Sequence, residues 1–400
     1  MDKHICLLTS FESLNATYHT NKKLYNTISK EFSEFYIVNI DNLQFFSKPK
    51  KYKFSDELKN RPKNIIFFNP QNSKEFKDFA SDKVLIVINN FGKSFFDLKT
   101  HLLVKNKNII QVQIKNIGLL PMTQTISKTH IVKTLNYLVL IKLFKKITTI
   151  LSIVGVINKL DISFICNKEI TNSLKKNILK KFLYEKQLLF TKEFCEVNSK
   201  FNDELKKNNK NLSNKYIVHL DYYLNYHEET NLRGEMDQSS LKLHHDSVQN
   251  FLLLAQKKLN KEVIICIHPM YPMEYFENFY KDLKVVKYKT ADFIKDADLV
   301  TFFNSSSIIN AILLKKKIIQ LSSKLMGKNK QSHFTVYKNK LGLPSIELDK
   351  FNEEIFDEVY KKTYNVNKNL LNEFISINHN LSEGEDGVKK IIRIIKKRYF

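Results

Sequence analysis

The side chains best suited to chemistry gather in the second half of the chain, each just past a short apolar run. Tyr216–Leu220 is followed by Asp221, Tyr226, His227 and Arg233; Glu262–Ile267 by His268-Pro269; Leu299–Phe303 by Asn304-Ser305-Ser306-Ser307; and Lys317–Leu321 by Ser322-Ser323. Such runs, bounded by polar residues, read as buried strands. In an open parallel sheet ligands lie beyond the carboxyl ends of the strands, where these polar residues fall. The triple serine opens a helical run, Ser305–Leu314. A helix start leaves backbone N–H groups unpaired and partly positive, so serine hydroxyls there can hold a phosphate without a glycine loop. Ordinary N-capping is the alternative. Pro269 holds His268 extended at its strand end. The imidazole there can donate to a phosphate oxygen or protonate a leaving phosphate; a turn histidine bonded to backbone is the plainer reading. Arg233 is one of four arginines in a lysine-rich chain. It reads either as a planar fork for an anion or as one half of a surface ion pair.

Other chemistries are excluded. The eight glycines permit neither G-x-G-x-x-G nor G-x-x-x-x-G-K-[ST], so the usual dinucleotide and P-loop phosphate cradles are absent. The four cysteines are far apart with no C-x-x-C, and three of them (Cys6, Cys166, Cys266) sit in apolar runs, as buried thiols of a reducing compartment would. There is no H-E-x-x-H, and Asp296-Ala297-Asp298, nominally a D-x-D, precedes its strand and so falls at the wrong end of the sheet. Helix-end charge accounts for it, and no metal site is expected.

These residues need a scaffold, and the chain spells one. In the first half, apolar runs at His4–Thr9, Phe35–Ile40, Asn64–Phe68, Val84–Ile88, Ile109–Ile114 and Ile162–Cys166 alternate with helical spacing at Asn21–Phe35, Lys74–Phe79 and Phe95–Leu103. Strands alternating with helices imply parallel sheets covered on both faces. Lys175–Lys207 reads as mostly helical and runs into the polar stretch Lys206–Asn211. The pattern then restarts, with helices at Ser240–Leu259 and Thr290–Lys295 between the strands above. The expectation is an α/β protein of two doubly wound, Rossmann-like domains facing a central cleft: residues 1–210, residues 211–385, and a basic amphipathic helix at 386–400. The apolar stretch 130–158 is interrupted by lysines. Its longest uncharged run is Ile147–Asn158, against about 20 residues for a bilayer span. It reads as a buried helix pair or as an interfacial helix on an anionic membrane surface.

Composition bounds the partners. The 400 residues, 43% hydrophobic and 26% charged, suit two globular domains. The net charge of +24 comes from lysine, and the wealth of Lys, Asn, Ile, Phe and Tyr matches AT-rich coding. Base reading favours arginine, so a specific nucleic-acid partner is not expected. An anionic sugar, a nucleotide or a membrane surface would suit the charge. The opening apolar run, ended by Ser10, is too brief for a signal peptide, so a cytoplasmic protein is expected.

Taken in order, Ile217–Asp221 with Tyr226-His227, Ile267-His268-Pro269, Lys289-Thr290-Ala291, Asp298-Leu299-Val300, Ser305-Ser306-Ser307 and Leu313–Ile319 resemble bacterial surface-carbohydrate biosynthesis proteins. More distantly they are similar to capsule polymerases and to sialyl- and polysialyltransferases of the GT-B type. The resemblance spans Tyr216 to Gly342; the first half matches only in its alternating architecture. It implies a glycosyltransferase moving a sugar from a nucleotide-activated, CMP-linked donor to an oligosaccharide or glycolipid acceptor of surface polysaccharide or lipopolysaccharide, on the inner face of the membrane. His268, Ser305 and Ser306 would bind the donor phosphate and Thr290 would approach the nucleotide; Pro269, Ser307 and Arg233 join them as binding candidates from their own places in the chain. No cofactor and no metal are implied, since histidine and helix terminus offset the leaving-group charge. The acidic base of the sialyltransferases has no counterpart here, because Glu385-Asp386-Gly387 lies near the C-terminus. Asp41 and Glu12, each after a first-half strand, and Asp221 are the candidates. A UDP-sugar epimerase of the same fold, or a non-catalytic membrane-docked scaffold, are the alternative functions.

Overall fold

The computed structural model describes residues 3–9, 18–19, 21–40, 43, 62–81, 83–89, 100, 102–105, 109–115, 147, 150–151, 154, 156–157, 160–167, 191–199, 214–222, 238–268, 273–326, 336–379 and 385–400. They form two compact units, each built on one parallel sheet.

The first sheet holds β1 (Lys3–Thr9), β2 (Phe35–Asn39), β3 (Ile65–Phe68), β4 (Val84–Asn89), β5 (Ile109–Lys115), β6 (Leu160–Ile165) and β7 (Thr191–Glu196) in the order β3-β2-β1-β4-β5-β6-β7. The second holds β8 (Tyr216–Leu220), β9 (Glu262–Cys266), β10 (Lys284–Val286), β11 (Ala297–Phe302), β12 (Lys317–Ser322) and β13 (Ser345–Glu347) in the order β10-β9-β8-β11-β12-β13. Every pairing is parallel. Both sheets start at a central strand, build outward to one side and then reverse, which is the Rossmann winding. The central strands are near-continuous apolar runs because helices cover both of their faces. In the second unit the long helix Gln238–Leu259 covers one face, with Leu241, Val248, Phe251, Leu252 and Ala255 in the core.

Two expectations change. Thr191–Glu196, inside the stretch read as helical, is the edge strand β7. Its charged residues disguised it: Lys192 pairs with Asp161 at 2.7 Å, and Thr191 shares a 2.8 Å hydroxyl hydrogen bond with Ser163, both on β6. Edge strands commonly carry such charges. The terminal helix Gly387–Tyr399 is not a separate piece. Residues 377–400 belong to the first unit, and Val388, Ile391, Ile392 and Ile395 lie in one core with Ile5, Tyr25, Ile28 and Phe35. The Asp386 carboxylate caps this helix, accepting from the N–H groups of Val388 (3.0 Å) and Lys389 (3.2 Å), and it pairs with Lys23. Three of the helix's basic residues are also paired: Arg393 with Glu385, Lys396 with Glu31 and Arg398 with Glu193. An interfacial helix needs a free apolar face, and here that face is already buried.

Cys6, Cys166 and Cys266 are buried and free, and Cys195 is half-buried. Most of the stretch 130–158 lies outside the described residues, as do the polar run 206–211 and the expected boundary at 210. Within that stretch Ile150 and Val154 are 56% and 63% exposed and Ile157 is buried. Among the described residues no helix is long and apolar enough to cross a membrane.

Candidate functional site

The second sheet reverses direction between β8 and β11, so the carboxyl ends of these strands mark the expected ligand position. The two strands are in register there, with His219 opposite Thr301 and Leu220 opposite Phe302. The neighbouring end is held level: the Asp221 N–H donates to the Cys266 carbonyl at 3.1 Å, and the Ile267 N–H to the Val286 carbonyl at 3.1 Å. His268 follows immediately and is exposed. Thr290 opens the helix Thr290–Lys295, and its side chain hydrogen-bonds the Cys266 thiol, whose pKa burial pushes up to about 12. The ends of β8, β9 and β10 are thereby tied to this helix start.

Beyond β11 the serines form a turn rather than part of a helix. Ser305 Oγ accepts the Ser307 N–H at 3.3 Å, and the Ser305 carbonyl accepts the Ile308 N–H at 3.2 Å. The helix that follows is only Ile308–Leu313, and the Ser307 side chain makes no capping bond. Six residues sum to a weak dipole, and the N–H groups of Ser307, Ile308, Ile309 and Asn310 are donated within the turn, so an anion here would be held by the serine hydroxyls. Ser306 is exposed; Ser305 and Ser307 are partly so. His268, Asp221, Thr290 and Ser305–Ser307 thus all lie along one edge of one sheet. Pro269, Arg233, Asp41 and Glu12 lie outside the described residues.

Beneath this edge is a layer of buried polar side chains that sequence reasoning missed. His219 Nδ1 lies 2.9 Å from Thr301 Oγ1, and its Nε2 is 3.8 Å from Asp221 Oδ1. On the covering helix His245 Nδ1 meets the Tyr280 hydroxyl at 2.8 Å, and the His244 ring lies 5.1 Å from that of Phe303. Burial lowers the His245 pKa, partly opposed by the Asp221 carboxylate. The Asp221 side chain is 1% exposed. As a general base it would have to reach the acceptor's hydroxyl, and here it faces His219 instead. A signal for the two helix histidines was present: with Leu241, Val248, Phe251, Leu252 and Ala255, His244 and His245 complete one helical stripe, the buried one.

Asp298 sits at the opposite, amino edge. Burial alone would raise its pKa, but Lys261 at 2.8 Å and Lys317 at 2.9 Å hold it below the usual aspartate range. The D-x-D spacing is thus part of an ion-pair cluster, capped by the Tyr360 hydroxyl donating to Asp298 at 3.3 Å.

No family model matches the chain, and no curated protein sequence does. Among solved structures it is similar to the wall teichoic acid polymerase TagF, with a TM-score of 0.56 at 13% identity over 98% of this chain and 88% of that one. Two histidine variants of the same polymerase give TM-scores of 0.56 and 0.54 at 12% identity, over 99% of this chain and 88% of theirs. At such identity the likeness speaks for the fold alone. This chain has the GT-B architecture, two Rossmann-like domains in tandem.

Proposed function

We propose that this protein is a GT-B transferase that moves a sugar or similar group from a nucleotide-activated donor onto a cell-surface polymer or its lipid-linked precursor. The observation that carries the reading is that His268, Thr290 and the Ser305–Ser307 turn each follow a strand at the carboxyl edge of the second sheet, the edge beside its winding reversal. The surface-polymer acceptor is carried over, as part of this proposal, from the wall teichoic acid polymerase whose fold this chain shares. The lysine excess behind the +24 charge suits an anionic donor and acceptor.

In this reading the donor phosphates rest on the serine turn. The serine hydroxyls donate to the charge that grows on the leaving nucleotide, and His268 donates to it or protonates it, an oxyanion-hole kind of stabilisation. The acceptor's proton goes to a base other than the buried Asp221; Asp41 and Glu12, the candidates from the sequence, lie outside the described residues. The narrower proposal, from the sequence resemblance, is a cytidine-linked donor.

The test is nucleotide release from CMP-, CDP-, UDP- and GDP-linked donors, with and without oligosaccharide or glycolipid acceptor. Release that needs acceptor, and that falls roughly 10²–10³-fold in His268→Ala, is expected. Conversion of a UDP-sugar without acceptor would replace the reading by an epimerase, and no turnover with any donor would leave a non-catalytic scaffold.

A further inference from the structure

The serine turn is rooted in buried polar groups where an apolar core would be less costly. Phe303, two residues before Ser305, is gripped from three elements. The His219 ring of β8 meets it edge-on at 5.9 Å, the His244 ring of the covering helix lies 5.1 Å away, and Gln320 of β12 donates to its carbonyl at 3.2 Å. His219 also binds Thr301, on the same strand as Phe303's approach to the turn. His219 Nδ1 and Thr301 Oγ1 share one hydrogen bond, while Nε2 stands 3.8 Å from Asp221 Oδ1, beyond hydrogen-bond reach.

This Thr-His-Asp order has the look of a nucleophile relay. Thr301 is fully buried, however, and cannot meet a substrate. Among the described residues Asp221 Oδ2 and His219 Nε2 have no hydrogen-bond partner.

We propose that His219 is a positioning residue: through Thr301 and Phe303 it fixes the serine turn against the end of β8, so that the turn is preset for the phosphate of a nucleotide. The inference rests on the proposed function of that turn.

The test compares Thr301→Val, which keeps shape and strand preference but removes the hydroxyl, with Thr301→Ser, which restores it. Calorimetric titration with CMP, CDP and UDP is run beside thermal unfolding. Expected is an affinity about tenfold weaker in T301V and close to unaltered in T301S. Equal affinity in both, with only the melting temperature lowered in T301V, overturns the positioning role alone. Should T301V not fold, His219→Phe keeps the ring against Phe303 and carries the test, and unaltered affinity in it overturns the inference. An unaltered protein that binds no nucleotide overturns the proposed function, and this inference with it.

Discussion

The terminal helix gives the sharpest prediction about the fold. Its sequence is that of a membrane-surface helix, with isoleucines on one side and lysines on the other, yet Ile391 is 0% exposed and lies in the first unit's core. Ile391→Ala removes buried carbons from a site walled by the strands of the first sheet and the helix Lys22–Glu31. Large-to-small changes of this kind cost about 2–5 kcal/mol. At about 3 kcal/mol, a unit of this size should melt roughly 6–12 °C lower. Scanning calorimetry of the full chain should show that shift in one transition, with the transition of the second unit unmoved. Leu243→Ala, at an exposed helix position, serves as the control and should move neither. If Ile391→Ala instead leaves melting unchanged and weakens binding to anionic vesicles, the helix is a surface anchor and the packing argument fails.

Two further predictions concern the same region. A Cβ on Gly387 would lie 2.5 Å from the Asn198 carbonyl oxygen, a backbone atom that cannot swing away; Gly387→Ala should therefore cost about 1–3 kcal/mol in urea unfolding, and a neutral result would refute the close approach. His379 is buried, hydrogen-bonded to Ser199 Oγ at 3.1 Å, and burial lowers its pKa to about 4. Unfolded, it takes a proton near pH 6.5, so between these values the unfolded chain binds more protons and stability falls as pH drops from 6.5 toward 4. The loss should approach about 3 kcal/mol, and urea midpoints measured across that range should flatten in His379→Gln.

Much of this architecture was legible because buried parallel strands are continuous apolar runs: Val84–Asn89 or Leu299–Phe302 admit few other readings. What escaped did so for physical reasons. β10 and β13 are three residues long and too short for a pattern, while β7 carries the charges of an edge. The terminal helix looked self-contained because the face it packs on is built from strands far earlier in the chain. At the site, strand-end reasoning placed His268 and the serines on one edge, since strand ends follow from local pattern. The inward turn of Asp221, and its pairing with His219, depend on packing between strands, which no local pattern encodes. His219 was visible only as one polar residue inside Ile217–Leu220, and His244-His245 only once the helical stripe was traced through them.

The most direct test of the central claim is amide hydrogen exchange of the full chain, with and without saturating CMP, CDP or UDP. The account predicts slowed exchange at Asp221–Tyr222, Ile267–His268 and Asn304–Ile308, the carboxyl edge of the second sheet, with at least one of these nucleotides. Protection confined to the amino edge around Lys261, Asp298 and Lys317, or to the first unit, would contradict it.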